Sequence, residues 1–157
     1  MTEIGPEPAQ LTADAVIFAK ERDRLFVLVI ERGWPPFEGC FALPGGYVDP
    51  GEATIEAAHR ELREETGLIG EVVGYGGQSS FRSVKNGRAV DNEQRNYLVR
   101  PLTMTVRTPG GEEHQWLPLN DVEHGGLLDP HNVKAIHDAL RVRGGGHTAR
   151  AASTASN

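Results

Sequence analysis

The residues of this chain best equipped for chemistry are Arg60, Glu61, Glu64 and Glu65, which lie together in the stretch RELREE. At helical spacing the three glutamates fall within an arc of about 100°. Neighbouring carboxylates on one arc repel by a few tenths of a kcal/mol per pair, so the arrangement needs a compensating cation. Arg60 offsets one charge. A hard, oxygen-seeking divalent ion such as Mg²⁺ offsets the rest and holds phosphate oxygens at its remaining positions. A solvated charged face is the competing reading of any Glu-rich helix. The preceding loop favours the ion, because Gly46 lets backbone and ligand approach closely where the helix begins.

The elements that must position these groups are legible on either side. Asp49-Pro50-Gly51 is turn chemistry, with Pro50 fixing φ and Gly51 free to adopt φ > 0. From Ala53 to Thr66 there is neither Gly nor Pro, and strong helix formers predominate, so a helix is predicted. Gly67 stands where a left-handed C-cap would end it. Ile55, Ala58 and Leu62, three and four apart, are the predicted core-facing stripe.

Gly46, Glu52, Arg60, Glu61, Leu62, Glu64, Glu65, Gly67 and Leu68 match, position for position, the Nudix box G-x5-E-x7-R-E-U-x-E-E-x-G-U, where U is aliphatic. The chain therefore resembles the Nudix hydrolases. The resemblance implies an α/β/α sandwich. This agrees with the mixed β-sheet between helices that short strands on both sides of one internal helix, plus a C-terminal helix, point to. It also implies Mg²⁺-dependent hydrolysis, with Mn²⁺ as a substitute, of a nucleoside diphosphate linked to another moiety. Glu61, Glu64 and Glu65 would be the metal ligands, joined by the Gly46 carbonyl. Glu61, Glu64 and Arg60 would be the catalytic residues, Arg60 orienting the carboxylates through an ion pair with Glu52 as its partner. A box glutamate, or a later carboxylate such as Glu112 or Glu113, would take a proton from the attacking water. The segments ALPGG, WLPLNDV and LLDPHNVKAIHDAL are similar to ADP-ribose pyrophosphatase-like members, which points to ADP-ribose or a related nucleotide sugar. The same box serves a house-cleaning hydrolase of modified nucleoside triphosphates, and the fold serves catalytically silent nucleotide sensors. Homodimers are common in the family.

The rest of the chain bounds these readings. Its 157 residues suit one domain, and apolar and charged fractions of 38% and 24% are those of a globular protein. A net charge of −6 argues against a general nucleic-acid backbone binder and requires an anionic substrate to be met by placed cations. The single cysteine, Cys40, excludes an internal disulfide and reads as a small buried apolar residue in a reducing compartment. The acidic N-terminal stretch is unlike a signal peptide, and the longest apolar run, Leu25–Ile30, is far too short to span a bilayer. A cytoplasmic protein without a membrane partner is the expectation.

In chain order, 11–19 and 25–30 read as a buried hairpin, and 31–46 as an ordered loop. Residues 70–81 read as a strand bent at Gly74, Gly76 and Gly77. The polar stretch 82–95 reads either as an ordinary hairpin loop or as a substrate-facing loop, with Arg82, Arg88 and Arg95 as the binding residues and Lys85 beside them. Strands follow over 97–106 and 112–119, joined by a turn at Gly110-Gly111. A helix over 129–142 has Pro130 at its first turn. The expected domain is 1–143, with 144–157 a disordered Gly/Ser/Ala-rich tail. Trp34, Phe37, Phe81 and Trp116 are aromatics available either to the core or to a stacked base.

Overall fold

The structure, a computed structural model, describes residues 9–31, 40–103 and 113–154; for Lys85, Glu113 and the residues past Gly144 it describes the backbone alone. Trp34, Phe37, Glu112, the Gly110-Gly111 turn and residues 1–8 lie outside the described residues.

The first apolar stretch serves two sheets. β1 (Gln10–Val16) and β2 (Phe18–Glu21) are separated by Ile17 alone. β2 forms the expected hairpin with β3 (Arg24–Glu31), pairing Phe18 with Val27 and Glu21 with Arg24. β1 does not join that hairpin. It crosses to another sheet, where it pairs antiparallel with β5 (Gly45–Tyr47) and parallel with β7 (Arg88–Pro101). The full order there is β5-β1-β7-β6, with β6 (Gly70–Lys85) antiparallel to β7, so the sheet is mixed as expected. The second sheet places β2 and β4 (Phe41–Ala42) along one edge of β3 and β8 (Glu113–Pro118) along the other.

Helices cover both faces of the mixed sheet. On one face α1 (Thr54–Thr66) sets Ala57 and Ala58 against Ala13, and Leu62 against Ala15 and Val99. On the other, α3 (Pro130–Thr154) packs Ala135, Ile136 and Ala139 with Val16 and Leu98. The short α2 (Leu119–His124) contributes Val122 to the same cluster. This is the α/β/α sandwich the sequence implied. Along β3, Val27 and Val29 enter the α3 cluster while Leu28 enters the α1 cluster. A strand buried on both faces reads as an unbroken apolar run, which explains LFVLVI.

Several local expectations are corrected. Residues 82–95 are not irregular: β6 and β7 continue to a tight turn at Asn86 (φ 53°) and Gly87 (φ 76°), two positive φ values of the kind that suits strand twist. Polarity resembled a loop because these strands bury polar side chains that satisfy one another. Gln94 donates to Asn96 (2.7 Å), Asn96 to Ser79 (3.0 Å) and Asn92 to Ser83 (2.8 Å). The predicted irregularity at the glycines is present, with register shifts at Val72/Gly74 and Tyr75/Gly77. A Cβ on Gly74 would meet Val142 at 2.7 Å, so the missing side chain is what lets α3 lie close. Ile55 is 40% exposed, and the buried stripe of α1 is Ala57, Ala58, Leu62 and Thr66. Cys40 is exposed. The helix expected to end near Arg143 keeps its helical backbone to Thr154, the Arg- and Ala-containing tail extending a helix already nucleated by packing.

Ile136 is fully buried where α3 meets the sheet. Ile136→Ala should lower unfolding free energy by about 3 kcal/mol in urea titrations. A loss below about 1 kcal/mol would show that α3 is not a structural layer.

Candidate active site

The site is built where the edge strand β5 meets α1. The loop between them is closed by the Asp49 carbonyl accepting from Glu52 N–H (3.0 Å), with Gly51 at φ 79° as its turn residue. Glu56 accepts from Ala53 N–H (3.1 Å) and caps the helix start, which alanine cannot do with its own side chain. Gly67 ends α1 in the left-handed conformation (φ 71°), its N–H donating to Arg63 O. The capping read from sequence is borne out at the C-terminus.

Arg60 organises the polar face. Its Nε and Nη2 grip both oxygens of Glu52 (2.8 and 2.9 Å), the bidentate geometry a guanidinium favours. Nη2 also donates to the Tyr47 carbonyl (3.1 Å), tying α1 to β5. Nη1 bonds Glu61 Oε1 (2.8 Å) and reaches Glu64 Oε2 (3.4 Å), so two carboxylates share one cationic nitrogen. Asp49 lies 3.6 Å from Nη2. Arg60 holds the Glu52 carboxyl down at about 2, from an ordinary 4.5, with the Asp49 N–H helping. Burial pushes Glu61 upward against the pull of Arg60, and Glu64 and Asp49 push the same way. Glu61 is the desolvated carboxylate and Glu64 the open one, its side chain 58% exposed.

The two glycines of LPGG explain themselves here. A Cβ on Gly46 would lie 2.6 Å from Glu61 Oε1, so only glycine lets that carboxylate rest on the strand. Glu65 accepts from Gly45 N–H (2.8 Å), beside the glycine on which Glu61 rests. Among the described residues no three His, Cys, Asp or Glu side chains are already gathered into a group able to hold a metal. The donor chemistry nonetheless fits a hard divalent cation, because Glu61 and Glu64 already converge on the positive Nη1 and Glu61 abuts the Gly46 backbone.

The three arginines expected to bind substrate separate. Arg95 is level with Gly46, since Ala13 pairs with both, and stands about 10 Å across the sheet. It donates to Gln78 (2.7 Å) and lies near Glu93 and the Tyr75 hydroxyl. Arg82 and Arg88 are on the β6–β7 ribbon past Gln10, the first β1 residue that pairs with β7. They are roughly 13 and 23 Å farther along the strands. Arg82 pairs with Asp91 in the open. Of the aromatics, Phe81 stacks on His131 (centroids 4.1 Å apart) and Trp116 packs on the α1-side core. Sequence reasoning missed Asp14, a buried carboxylate on β1 facing Gly45. Its signal was a lone acid inside the apolar run ADAVIFA.

A family model for the NUDIX domain matches residues 8–138, and the chain belongs to the NUDIX family of hydrolases. It is 59% identical over 127 residues to an ADP-ribose pyrophosphatase of Methanocaldococcus jannaschii, covering 76% of this chain and 68% of that one. It is 38% identical over 65 residues to the ADPR responsive transcriptional repressor NtrR of Acinetobacter baylyi, covering 40% of this chain and 26% of the repressor. The chain thus spans about two thirds of the first relative and a quarter of the second. The NUDIX domain of Shewanella oneidensis NrtR, solved with ADP ribose, superposes with a TM-score of 0.70 at 24% identity over 86% of this chain and 88% of that one. Nudix hydrolases generally use divalent metal ions. Among the described residues no helix is long and apolar enough to cross a membrane.

Glu52→Gln tests the Arg60 clamp. Because the folded value lies below the ordinary one, the stability Glu52 adds is complete above about 4.5 and is lost as pH falls toward about 2. Urea midpoints of wild type and variant should differ near neutrality and converge through that window. A gap independent of pH would mean that the carboxylate charge plays no part.

Proposed function

We propose that this protein hydrolyses the diphosphate bond of ADP-ribose or a related nucleotide sugar, with Mg²⁺ as the resident ion and Mn²⁺ as a substitute. The observation that carries the hydrolysis is the pair Glu61 and Glu64 held on one Arg60 nitrogen against the Gly46 backbone. The substrate rests on the 59% identity to the Methanocaldococcus ADP-ribose pyrophosphatase.

Glu61, Glu64, Glu65 and the Gly46 carbonyl would hold the ion, with Glu65 also fixing Gly45 beside them. The bound ion would neutralise diphosphate charge and acidify a water. Arg60 keeps the carboxylates oriented through its bidentate bond to Glu52, so little reorganisation is left for the reaction itself. One of the box glutamates would receive the proton of the attacking water. Arg95, level with Gly46, would meet the far side of the substrate, while Arg82 and Arg88 would act only on a ligand long enough to reach the ribbon. The catalytic unit is proposed to be residues 1–143.

The similarity to the NtrR repressor favours one second reading, a nucleotide-sensing module that binds ADP-ribose without turnover. Product release from ADP-ribose, NADH, nucleotide sugars, dinucleoside polyphosphates and normal and oxidised deoxynucleoside triphosphates separates the two. Preferential cleavage of ADP-ribose is expected. A preference for oxidised triphosphates would overturn the substrate assignment, and binding without cleavage would favour the sensor.

Glu64→Gln should reduce turnover by 100-fold or more, on the order expected of a proton-transfer or metal-holding group, without changing the melting temperature. An undiminished rate would remove Glu64 from the mechanism.

A further inference from the structure

Asp14 is a carboxylate only 7% exposed in the middle of the mixed sheet, and the mechanism above makes no use of it. Burying a charge is costly, and an apolar residue of similar size is usually the cheaper occupant of such a position. Its surroundings give the carboxyl group a packing role. Asp14 pairs in register with Gly45 on β5 and with Asn96 on β7. A Cβ on Gly45 would come within 2.6 Å of Asp14 Oδ1, so the carboxyl group packs directly on the glycine. One residue on, the Glu61 carboxylate lies on Gly46 in the same way. Side chains of adjacent strand residues leave opposite faces, so the two carboxylates press on β5 from opposite sides. Glu65 takes the Gly45 N–H.

Among the described residues β5 is the end strand of its sheet, only three residues long, with β1 as its one strand neighbour there. Its position is therefore sensitive to what packs on its two glycines. We infer that Asp14 is a positioning residue, whose carboxyl group wedges Gly45-Gly46 against Glu61 and Glu65 and so fixes the Gly46 carbonyl for a divalent cation. The inference rests on reading Glu61, Glu64 and Gly46 as the metal site. It also explains why the first glycine of LPGG, which holds no ligand itself, is glycine: any side chain would displace Asp14 or strike the Ala13 carbonyl, 2.6 Å away.

The test is Mn²⁺ binding to the full chain without substrate, followed by electron paramagnetic resonance, in Asp14→Ala, Asp14→Asn and Glu61→Gln. Asp14→Ala should weaken Mn²⁺ binding about tenfold or more, the usual cost of losing a group that orients metal ligands. Asp14→Asn keeps the shape of the wedge and should stay within about twofold of wild type, a rescue that a general loss of stability would not produce. If Asp14→Ala does not fold, Asp14→Ser removes the same carboxyl group and carries the comparison. Unchanged binding in the alanine or serine variant, with Glu61→Gln defective, overturns the role of Asp14 and leaves the metal site standing. Equal weakening in the asparagine variant also overturns it, since charge rather than packing would then be the cause. Wild-type binding by Glu61→Gln overturns the metal site and the inference with it.

Discussion

The bidentate bond between Arg60 and Glu52 is the interaction on which the rest of the site depends. It fixes the guanidinium with one edge toward the helix-entry loop, and the remaining donors must then meet Tyr47 O, Glu61 and Glu64. Without it, carboxylates on one helical face would repel and spread into solvent. With it, loop, strand and helix share one rigid cation. A salt bridge on an open surface contributes little, but this one is partly buried, bidentate and part of a network. It adds stability and also sets the placement of Glu61.

The fold serves this by bringing a short edge strand against a helix. α1 buries alanines and Leu62 on the sheet, which brings its backbone close enough for Glu61 and Glu65 to touch the glycines of β5. Small residues here are a distance setting: larger side chains at Ala57 or Ala58 would push the carboxylates off the strand. α3 covers the opposite face and closes the core without reaching these groups.

The box was legible because its chemistry demands fixed residue types at fixed helical spacings, and so was the C-cap at Gly67. The mixed sheet between helices followed from the order of the elements and agreed with the resemblance, while strand assignment faltered where polarity misled. Asn92 and Gln94 looked like loop residues because their partners, Ser83 and Asn96, take up the polar side chains only once the strands are formed. Ile55 fitted a helical stripe but sits one turn too early to reach the sheet. Asp14 was invisible as a site residue because its significance lies in Gly45, thirty-one positions away and adjacent only through β1–β5 pairing. The separation of Arg95 from Arg82 and Arg88 likewise depends on where β1 pairing begins along the hairpin.

The most direct test of the central claim is phosphorus NMR of ADP-ribose incubated with the purified chain in ¹⁸O-enriched water, before and after removal of divalent ions with a chelator. Conversion to AMP and ribose phosphate is expected, with one labelled oxygen in one product. The reaction should stop with the chelator and resume when Mg²⁺ is restored. Persistence of intact ADP-ribose in the presence of Mg²⁺, or hydrolysis undiminished by the chelator, would contradict that claim.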